Sequence, residues 1–564
     1  MNCMLSRSRL TGIICGLALI AALASAWSVQ IIRNGGAAMV AHLQPSCSAD
    51  NSRLAGQATP QQQRALPMLD SLFEATNDLP DDLTKVYLQR RIADTLWDYD
   101  ESRARSRFER ALLTANSIKA PPGSLPKEKN NLRVQYRGDV LASIKQRDPQ
   151  LAKKLALDYL DKANPDIWTI ELFIDVDRQY ATHMIRHCID TSNTAWLDRL
   201  LRKLRATDPI SADDLFTHAL SVAEQRSKEP FSDFGGLFRY VFPSETGNFI
   251  GFNLHADTSP AKPELIKRFL DFGCKALIQE ANAIEQESRK NTEINERSGY
   301  GYMELQMLLP FFDQYAPASA AKIRARWDEV ILNLRGGKEH IRQARLLFAP
   351  MNTQEILGNA EHAKDEIEKQ VLYGRAAKQA STEGDFEEAF LILSRIPAAI
   401  REDLEATIRA QAAKAAIARS DVDASLSYAK GIEDLRERTD LIERIVRLLY
   451  DQKDPERAMK VLNEALEIAK KAENNWLKPG AMLNIASAAT LLNPARGFEV
   501  MNQAVEVINN AKDFAQNITD FDQNLLLLAP IDFDRALMLT EKLSGKESRL
   551  IAQTAVCRGI LVQK

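Results

Sequence analysis

From about residue 69 onward, the chain places apolar residues at the spacing of one helix face. Ala, Leu, Glu, Arg and Lys dominate this part of the sequence, and alternating runs of Val, Ile and Thr are almost absent. Apolar residues at i, i+3, i+4 and i+7 indicate an amphipathic helix, whereas strict alternation indicates a half-buried strand. The pattern therefore predicts an all-α body.

A short motif recurs along this pattern: an Asp or Asn is followed four positions later by a small residue. The copies are Asp100/Ala104, Asp148/Ala152, Asp208/Ala212, Asp385/Ala389, Asp454/Ala458, Asn493/Gly497 and Asp532/Ala536, with a weaker copy at Asp421. An Asp or Asn side chain caps a helix start by accepting a hydrogen bond from a free backbone N–H. The motif predicts the start of a helix, and the small residue lets the preceding helix approach closely.

Four copies continue as a small-large-small pattern on one helix face. They are Ala104/Phe108/Ala111, Ala212/Phe216/Ala219, Ala458/Leu462/Ala465 and Gly497/Met501/Ala504. In the C-terminal part the motif begins at residues 385, 421, 454, 493 and 532, at intervals of 36, 33, 39 and 39 residues. Such a period is typical of helix–turn–helix repeats. We therefore predict antiparallel helix-pair repeats that form an α-solenoid.

This second-helix pattern resembles that of tetratricopeptide repeats. The resemblance covers residues 368–564 and two or three units near the N-terminus. The Trp-Leu-Gly and Tyr positions of the family's first helix are not kept. The resemblance implies a concave groove that binds a peptide segment, but no groove residue of the family transfers to a position in this chain.

The N-terminus has the features of a targeting segment. Arg7 and Arg9 precede an uncharged apolar run, and Ala24-Ser25-Ala26 fits a signal-peptidase site. The run continues to Ile32, and its 23 residues reach about 34 Å as a helix, enough to span a bilayer. Residues 1–33 are therefore either a cleaved signal peptide or an uncleaved signal anchor. A start at Met39 is a third possibility.

These patterns divide the chain into five segments. After residues 1–33, residues 34–67 are rich in Gln, Ser, Ala and Gly and are predicted to be a flexible linker. Residues 68–230 form N-terminal helical repeats, residues 231–367 an irregular aromatic-rich insert with helices, and residues 368–564 the tetratricopeptide-like repeats. We expect an exported, periplasmic or otherwise extracytoplasmic protein, either soluble or tethered by an N-terminal membrane helix.

The start of the insert is rich in aromatic residues and glycines. Six of its aromatic residues are the candidate partner-binding residues: Phe234, Phe238, Tyr240, Phe242, Phe249 and Phe252. A long connection inside a packed array is usually functional or mobile. Two interpretations remain open here, a partner-docking surface or pocket, and a hydrophobic plug beneath the connection.

The charge balance and the motifs in the sequence exclude several kinds of functional site. The 73 Lys and Arg residues nearly balance the 76 Asp and Glu residues, so a broad basic surface for nucleic acid is excluded. His183 and His187 share a helix face, but Met184 stands where a metalloprotease motif needs Glu, and no third metal ligand is visible. No Cys-x-x-Cys, nucleophile elbow or phosphate-binding loop occurs.

We therefore predict no catalytic, cofactor-binding or metal-binding residue and no cofactor. The leading hypothesis is an exported or membrane-anchored α-solenoid scaffold that binds a protein or peptide partner. The alternative is an all-helical enzyme with a metal or small-ligand site near His183 and His187 or near the aromatic insert.

Overall fold

The structure is a computed structural model. It describes residues 59–118, 126–159, 166–191, 196–226, 237–242, 261–288, 294, 296–473, 475–510 and 518–562. Apart from Thr59 and Pro60, these residues belong to one compact unit, residues 61–245 and 255–564. The predicted targeting segment, residues 1–33, lies outside the described residues. Within the described residues, no helix is long and apolar enough to cross a membrane.

The regular structure of the described residues is helical, which confirms the all-α prediction. The first helices are α1 (Pro60–Ala75), α2 (Asp82–Leu96), α3 (Glu101–Ser117), α4 (Pro126–Arg147), α5 (Pro149–Asp158), α6 (Ile167–Val176), α7 (Arg178–Asp190), α8 (Leu197–Arg205) and α9 (Pro209–Arg226). They are followed by α10 (Pro263–Ser288), α11 (Glu296–Tyr315), α12 (Pro317–Leu332), α13 (Gly337–Phe348), α14 (Thr353–Glu361), α15 (Glu366–Glu383) and α16 (Phe386–Leu393). The last are α17 (Ala398–Ala418), α18 (Val422–Lys430), α19 (Leu435–Asp451), α20 (Pro455–Lys471), α21 (Leu477–Leu492), α22 (Pro494–Asn509), α23 (Ile518–Leu528), α24 (Phe533–Glu541) and α25 (Lys546–Leu561).

The Asp/Asn motif begins a helix at all eight positions. At each one the side chain accepts a hydrogen bond of 2.9–3.3 Å from the backbone N–H three residues later. The six alanines of the motif are fully buried. The motif is therefore confirmed as a helix start with a close helix contact one turn later.

Consecutive helices alternate between two layers, except that α9 and α10 both lie in the outer layer. The inner layer consists of α2, α4, α6, α8, α11, α13, α15, α17, α19, α21, α23 and α25, and the remaining helices form the outer layer. Each inner helix contacts the next inner helix along the chain, for example α15 with α17 and α17 with α19. The exception is the step from α8 to α11. The outer layer has fewer such contacts. The inner layer is therefore the one whose helices form the more continuous row of contacts, and every motif helix lies in the outer layer.

The last helix of this unit packs against one of the first. α25 contacts α2, and the Tyr99 hydroxyl donates a 2.7 Å hydrogen bond to the Leu561 carbonyl. In the outer layer, Arg64 of α1 forms a 2.6 Å ion pair with Asp534 of α24. A single core cluster contains buried residues from both ends of the unit, residues 65–104 and 410–561. We call this contact between the first and last helices the seam.

The first helix begins before the sequence-based boundary at residue 68, and helices also occur in the middle segment. Residues 60–67, which were assigned to the linker, belong to α1, and Ala65 is fully buried in the core cluster. Helices α10 to α14 lie within residues 231–367, where the sequence predicts helices beside the aromatic-rich insert, and α10 to α13 contact one another in sequence. Regular helix pairs therefore continue through most of the middle of the chain.

Candidate functional site

The described part of the aromatic insert is residues 237–242, of which residues 237–241 are helical. Phe238, Tyr240 and Phe242 are 6%, 0% and 5% exposed. The ring centroids of Phe238 and Phe242 lie 4.8 and 4.7 Å from that of Phe311 in α11. The Tyr240 hydroxyl donates a 2.7 Å hydrogen bond to Asp213 Oδ1. These three side chains are core residues between α9, α10 and α11.

The burial of these side chains affects whether a partner can reach the predicted docking surface. Phe234, Phe249 and Phe252 lie outside the described residues. The three described aromatic residues are covered by their own chain, so a partner would reach them only if the segment moved. The contacts match those expected of a hydrophobic plug, while the docking role stays a prediction.

The histidine pair lies on the surface of α7. His183 is exposed, His187 is half-buried in the last turn, and Cys188 is buried. Burial raises the pKa of the Cys188 thiol to about 11, so this thiol is a poor metal ligand at neutral pH. Across the described residues, no group of three or more His, Cys, Asp or Glu side chains could hold a metal ion. The described residues therefore supply no third ligand for this pair.

Ionisable side chains with shifted pKa values recur along the inner layer. Burial lowers the pKa of Arg90, Arg375, Lys378, Arg438 and Arg558 and raises the pKa of Asp139, Glu304, Glu437, Glu443 and Asp520. All ten belong to α2, α4, α11, α15, α19, α23 or α25. Burial disfavours the charged form of each group. Glu304 and Lys378 are nevertheless exposed to water.

At the seam, side chains from three inner helices meet at one buried carboxylate. Arg91 Nη1 of α2 donates a 2.5 Å hydrogen bond to Asp522 Oδ2 of α23. Arg558 Nη1 of α25 donates a 3.1 Å hydrogen bond to the same oxygen. The Asp522 side chain is 2% exposed, whereas those of Arg91 and Arg558 are 18% and 14% exposed. The Arg91 and Arg558 side chains are therefore partly exposed, whereas the carboxylate that joins them is buried.

Tyr87 and Arg90 complete this group, which we call the seam cluster (Tyr87, Arg90, Arg91, Asp522 and Arg558). The Arg91 guanidinium lies over the Tyr87 ring at 4.8 Å. Arg90 Nη1 donates a 3.0 Å hydrogen bond to Ser143 Oγ of α4. The charges of Asp139 and Asp94 act on Arg90. Among the described residues, the buried Tyr87 hydroxyl has no hydrogen-bond partner.

A second polar group lies on the neighbouring inner helices. Glu443 of α19 accepts a 2.8 Å hydrogen bond from the Ser487 hydroxyl of α21 and pairs with Arg447 at 3.4 Å. Asp520 of α23 pairs with Arg436 of α19 at 2.8 Å. Each carboxylate here has an arginine partner. The polar inner face therefore extends from the seam across α23 and α21 to α19.

The sequence reasoning did not identify the seam cluster. Tyr87, Arg90, Arg91 and Asp94 follow the i, i+3, i+4, i+7 spacing of one face of α2, so a polar stripe on this helix was visible. Asp522 and Arg558 are distant in sequence, and nothing local connects them with α2. The cluster depends on the seam, which a repeat pattern alone does not reveal.

No family model and no curated protein matches the chain. Among solved structures, a circular tandem repeat protein with a novel repeat topology and enhanced subunit contact surfaces is similar to this chain at 14% sequence identity. The match covers 89% of this chain and 98% of that protein, with a TM-score of 0.16. A TM-score this low supports no inference about the fold or the function of this chain. The helical repeat architecture rests on the helix contacts described above.

Proposed function

We propose that this protein is a non-catalytic scaffold that binds a protein or peptide partner on its inner face. It is a divergent tetratricopeptide-like α-solenoid, exported or anchored to a membrane through residues 1–33. The alternative, an all-helical enzyme, stays an expectation of the sequence because no contact among the described residues favours it.

The observation that carries the proposal is the series of burial-shifted ionisable groups along the inner layer. These groups recur from α2 to α25, and they include the exposed Glu304 and Lys378. A partly desolvated charge gains more from an opposite charge than a fully hydrated one does. A polar segment of a partner that enters this face would supply such charges and would be selected by their pattern.

Both signs of charge occur on the inner face, which bears on the kind of partner. Lys378 of α15 and Glu304 of α11 belong to inner helices separated by α13 alone. A segment of mixed charge can complement both signs, whereas a strongly acidic or strongly basic segment can complement one. The partner is therefore a peptide segment of mixed charge that binds along successive inner helices.

Site-specific photo-crosslinking in the cells that produce the protein tests this proposal. A photoreactive amino acid replaces Glu304 or Lys378 on the inner layer, or Leu391 or Met538 on the outer layer. Leu391 and Met538 are 60% and 61% exposed and serve as matched controls, because they report random collisions with other proteins.

We expect one distinct protein or peptide adduct that forms from both inner positions and from neither outer position. Mass spectrometry then identifies the crosslinked segment. Adducts that are equal for inner and outer positions, or their absence from both inner positions, would contradict binding on the inner face.

A further inference from the structure

A pocket of about 450 Å³ lies between α11, α12 and the residues that follow α13. Leu309, Pro310 and Pro350 give it apolar walls, and Gln306 and Gln314 add amide groups. Sites for small ligands have a volume of this order, a mostly apolar lining and a few polar groups. The pocket shares no described residue with the seam cluster.

Gln306 is a polar lining residue of this pocket whose hydrogen bonding is incomplete. Its side chain is 5% exposed, and its Nε2 atom is buried and has no hydrogen-bond partner among the described residues. A buried donor without a partner costs free energy, and an acceptor on a ligand removes this cost. The terminal torsion of a glutamine side chain is soft, so the amide can turn its N–H groups toward a ligand in the pocket.

Pro310 leaves a hydrogen-bond acceptor on the same face of α11. It lies inside this helix and has no N–H, so the main-chain carbonyl of Gln306 lacks the donor that a regular helix supplies four residues later. Residues four positions apart lie on one face of a helix, and Gln306 and Pro310 both line the pocket. Residue 306 therefore offers both a donor and an acceptor on this face.

The charges around the pocket favour a neutral ligand. Among its described lining residues, the charged ones are Asp313 and Arg324, which form an ion pair of 2.5 Å with each other. A charged ligand would have to compete with this pair for one of its partners. A neutral ligand can bind while the pair stays intact.

We propose that this pocket binds an amide group, either the side-chain carboxamide of Asn or Gln or a peptide amide. The amide oxygen accepts a hydrogen bond from Gln306 Nε2, and the amide N–H donates to the main-chain carbonyl of Gln306. The apolar atoms next to the amide pack against Leu309, Pro310 and Pro350. An amide is neutral and carries its acceptor and its donor on separate atoms, as the site does.

This pocket does not depend on the proposed scaffold function. Its described lining includes neither Glu304 nor Lys378, the two inner positions used for crosslinking. Amide binding is measured on the purified protein, whereas partner binding is measured in cells. The failure of one proposal is therefore distinguishable from the failure of the other.

The test is a nuclear magnetic resonance titration of the purified full-length protein with small neutral probes. Propionamide carries a primary carboxamide like that of Asn and Gln, and N-methylacetamide carries a secondary amide like that of the peptide bond. Butanone is the matched control ligand, because it has the same number of non-hydrogen atoms and a carbonyl but no N–H.

Gln306→Met removes the side-chain amide and keeps the length of the side chain. Because Gln306 Nε2 has no described partner to lose, this variant should keep its helicity and its free energy of unfolding in urea. Gln503→Met is the matched control, since Gln503 Oε1 in α22 is also buried without a partner among the described residues, but Gln503 does not line the pocket. Ala349→Leu narrows the pocket and leaves Gln306 unchanged, so it decides the question if Gln306→Met does not fold.

We expect saturable binding of propionamide or N-methylacetamide that becomes about tenfold weaker in Gln306→Met and in Ala349→Leu and stays unchanged in Gln503→Met. Butanone should bind about tenfold more weakly than the better amide, because it cannot donate a hydrogen bond. Tighter binding of propionamide assigns the pocket to side-chain carboxamides, and tighter binding of N-methylacetamide assigns it to peptide amides. Binding of neither amide, equal binding by the wild type and the two pocket variants, or equal binding of butanone would overturn the proposal.

Discussion

At the residue scale, small side chains set the distance between paired helices. A Cβ atom on Gly497 of α22 would lie 2.3 Å from Thr490 Oγ1 and 2.8 Å from Thr490 Cα in α21. Such distances are shorter than van der Waals contact, so even Ala would push the two helices apart. Ala458 of α20, one of the alanines at the same motif position, is fully buried. The residue four positions after the Asp or Asn of the motif therefore has to be small, because the neighbouring helix leaves no room for a larger side chain.

Gly497→Ala should destabilise the protein by about 1–3 kcal/mol because the added methyl group overpacks the contact with α21. The matched control is Gly358→Ala in α14, where nothing lies within 4 Å of the added Cβ atom. That substitution should stabilise the helix by about 0.5–1 kcal/mol. Urea unfolding of both variants gives the two values, and equal effects would mean that the α21–α22 contact is looser than described.

Ala458→Leu applies the same argument to a second helix pair. A leucine at this fully buried position should lower the free energy of unfolding by about 1–3 kcal/mol. An unchanged urea midpoint would show that α20 does not approach α19 closely at this residue.

At the element scale, capping side chains decide where the outer helices begin. The Asp454 side chain accepts a hydrogen bond of 3.1 Å from the backbone N–H of Arg457 at the start of α20. Pro455 occupies the first helical position. The sequence predicted this start because the signal is local.

Asp454→Ala should cost about 1 kcal/mol of unfolding free energy through loss of this cap. Asp451→Ala is the control. Asp451 is exposed at the last residue of α19, where a negative charge opposes the helix dipole. Asp451→Ala should therefore leave the free energy of unfolding, measured with urea, unchanged or slightly higher. A similar loss of unfolding free energy in both variants would contradict the capping role of Asp454.

The junction between α13 and α15 is held by charged side chains. Arg342 donates hydrogen bonds of 2.6 Å to both Glu339 and Glu368, and Lys364 also pairs with Glu339. Glu339, Arg342 and Lys364 line an open cleft of about 900 Å³ between α12, α13 and the end of α14. Hydrogen bonding to Arg342 is the main cause that lowers the pKa of Glu339 to about 2, from an ordinary value of 4.5. A carboxylate with a lowered pKa stabilises the fold above its unfolded pKa and loses this effect as the pH falls through its folded pKa.

We therefore expect Glu339 to contribute to a fall in the thermal unfolding midpoint between pH 4.5 and pH 2. Glu339→Gln should be less stable than the wild type at pH 7 and should show a smaller fall over the acidic range. Glu361→Gln, at an exposed residue of α14, should keep the wild-type pH profile. An unchanged profile for Glu339→Gln would show that the ion pairs do not support this junction.

The Asp/Asn motif does not mark every helix start, for a physical reason. α12 begins after Ala316, which forms no side-chain capping bond, yet Ala320 four residues later is fully buried. Contacts with neighbouring helices, rather than a local cap, hold such a helix, and a search for Asp or Asn passes over it. Asp177 and the buried Ala181 at the start of α7 do fit the motif, and that copy was visible in the sequence.

At the scale of the whole unit, the first and last helices meet at the seam, and we call this contact closure. Closure turns a row of polar side chains into an enclosed inner face. Local patterns predicted the helices and their pairing, but closure depends on contacts between distant parts of the chain. The pair formed by Tyr99 and Leu561 and the ion pair formed by Arg91 and Asp522 are examples. The inner face, the seam cluster and the proposed scaffold function all depend on this closure.

The most direct test of closure is zero-length crosslinking between a carboxylate and an ammonium group. Lys546 Nζ at the start of α25 lies 3.6 Å from Asp78 Oδ2, just before α2, and both side chains are more than half exposed. Carbodiimide treatment of the monomer, followed by mass spectrometry, should give an Asp78–Lys546 crosslink that disappears in Asp78→Asn. A mixture of isotope-labelled and unlabelled protein shows whether the crosslink forms within one chain.

The local pair Lys364–Glu339 is the internal control for the reaction. Closure predicts both crosslinks within single chains. If the Lys364–Glu339 crosslink forms and the Asp78–Lys546 crosslink does not, the first and last helices do not meet, and the account of an enclosed inner face is wrong.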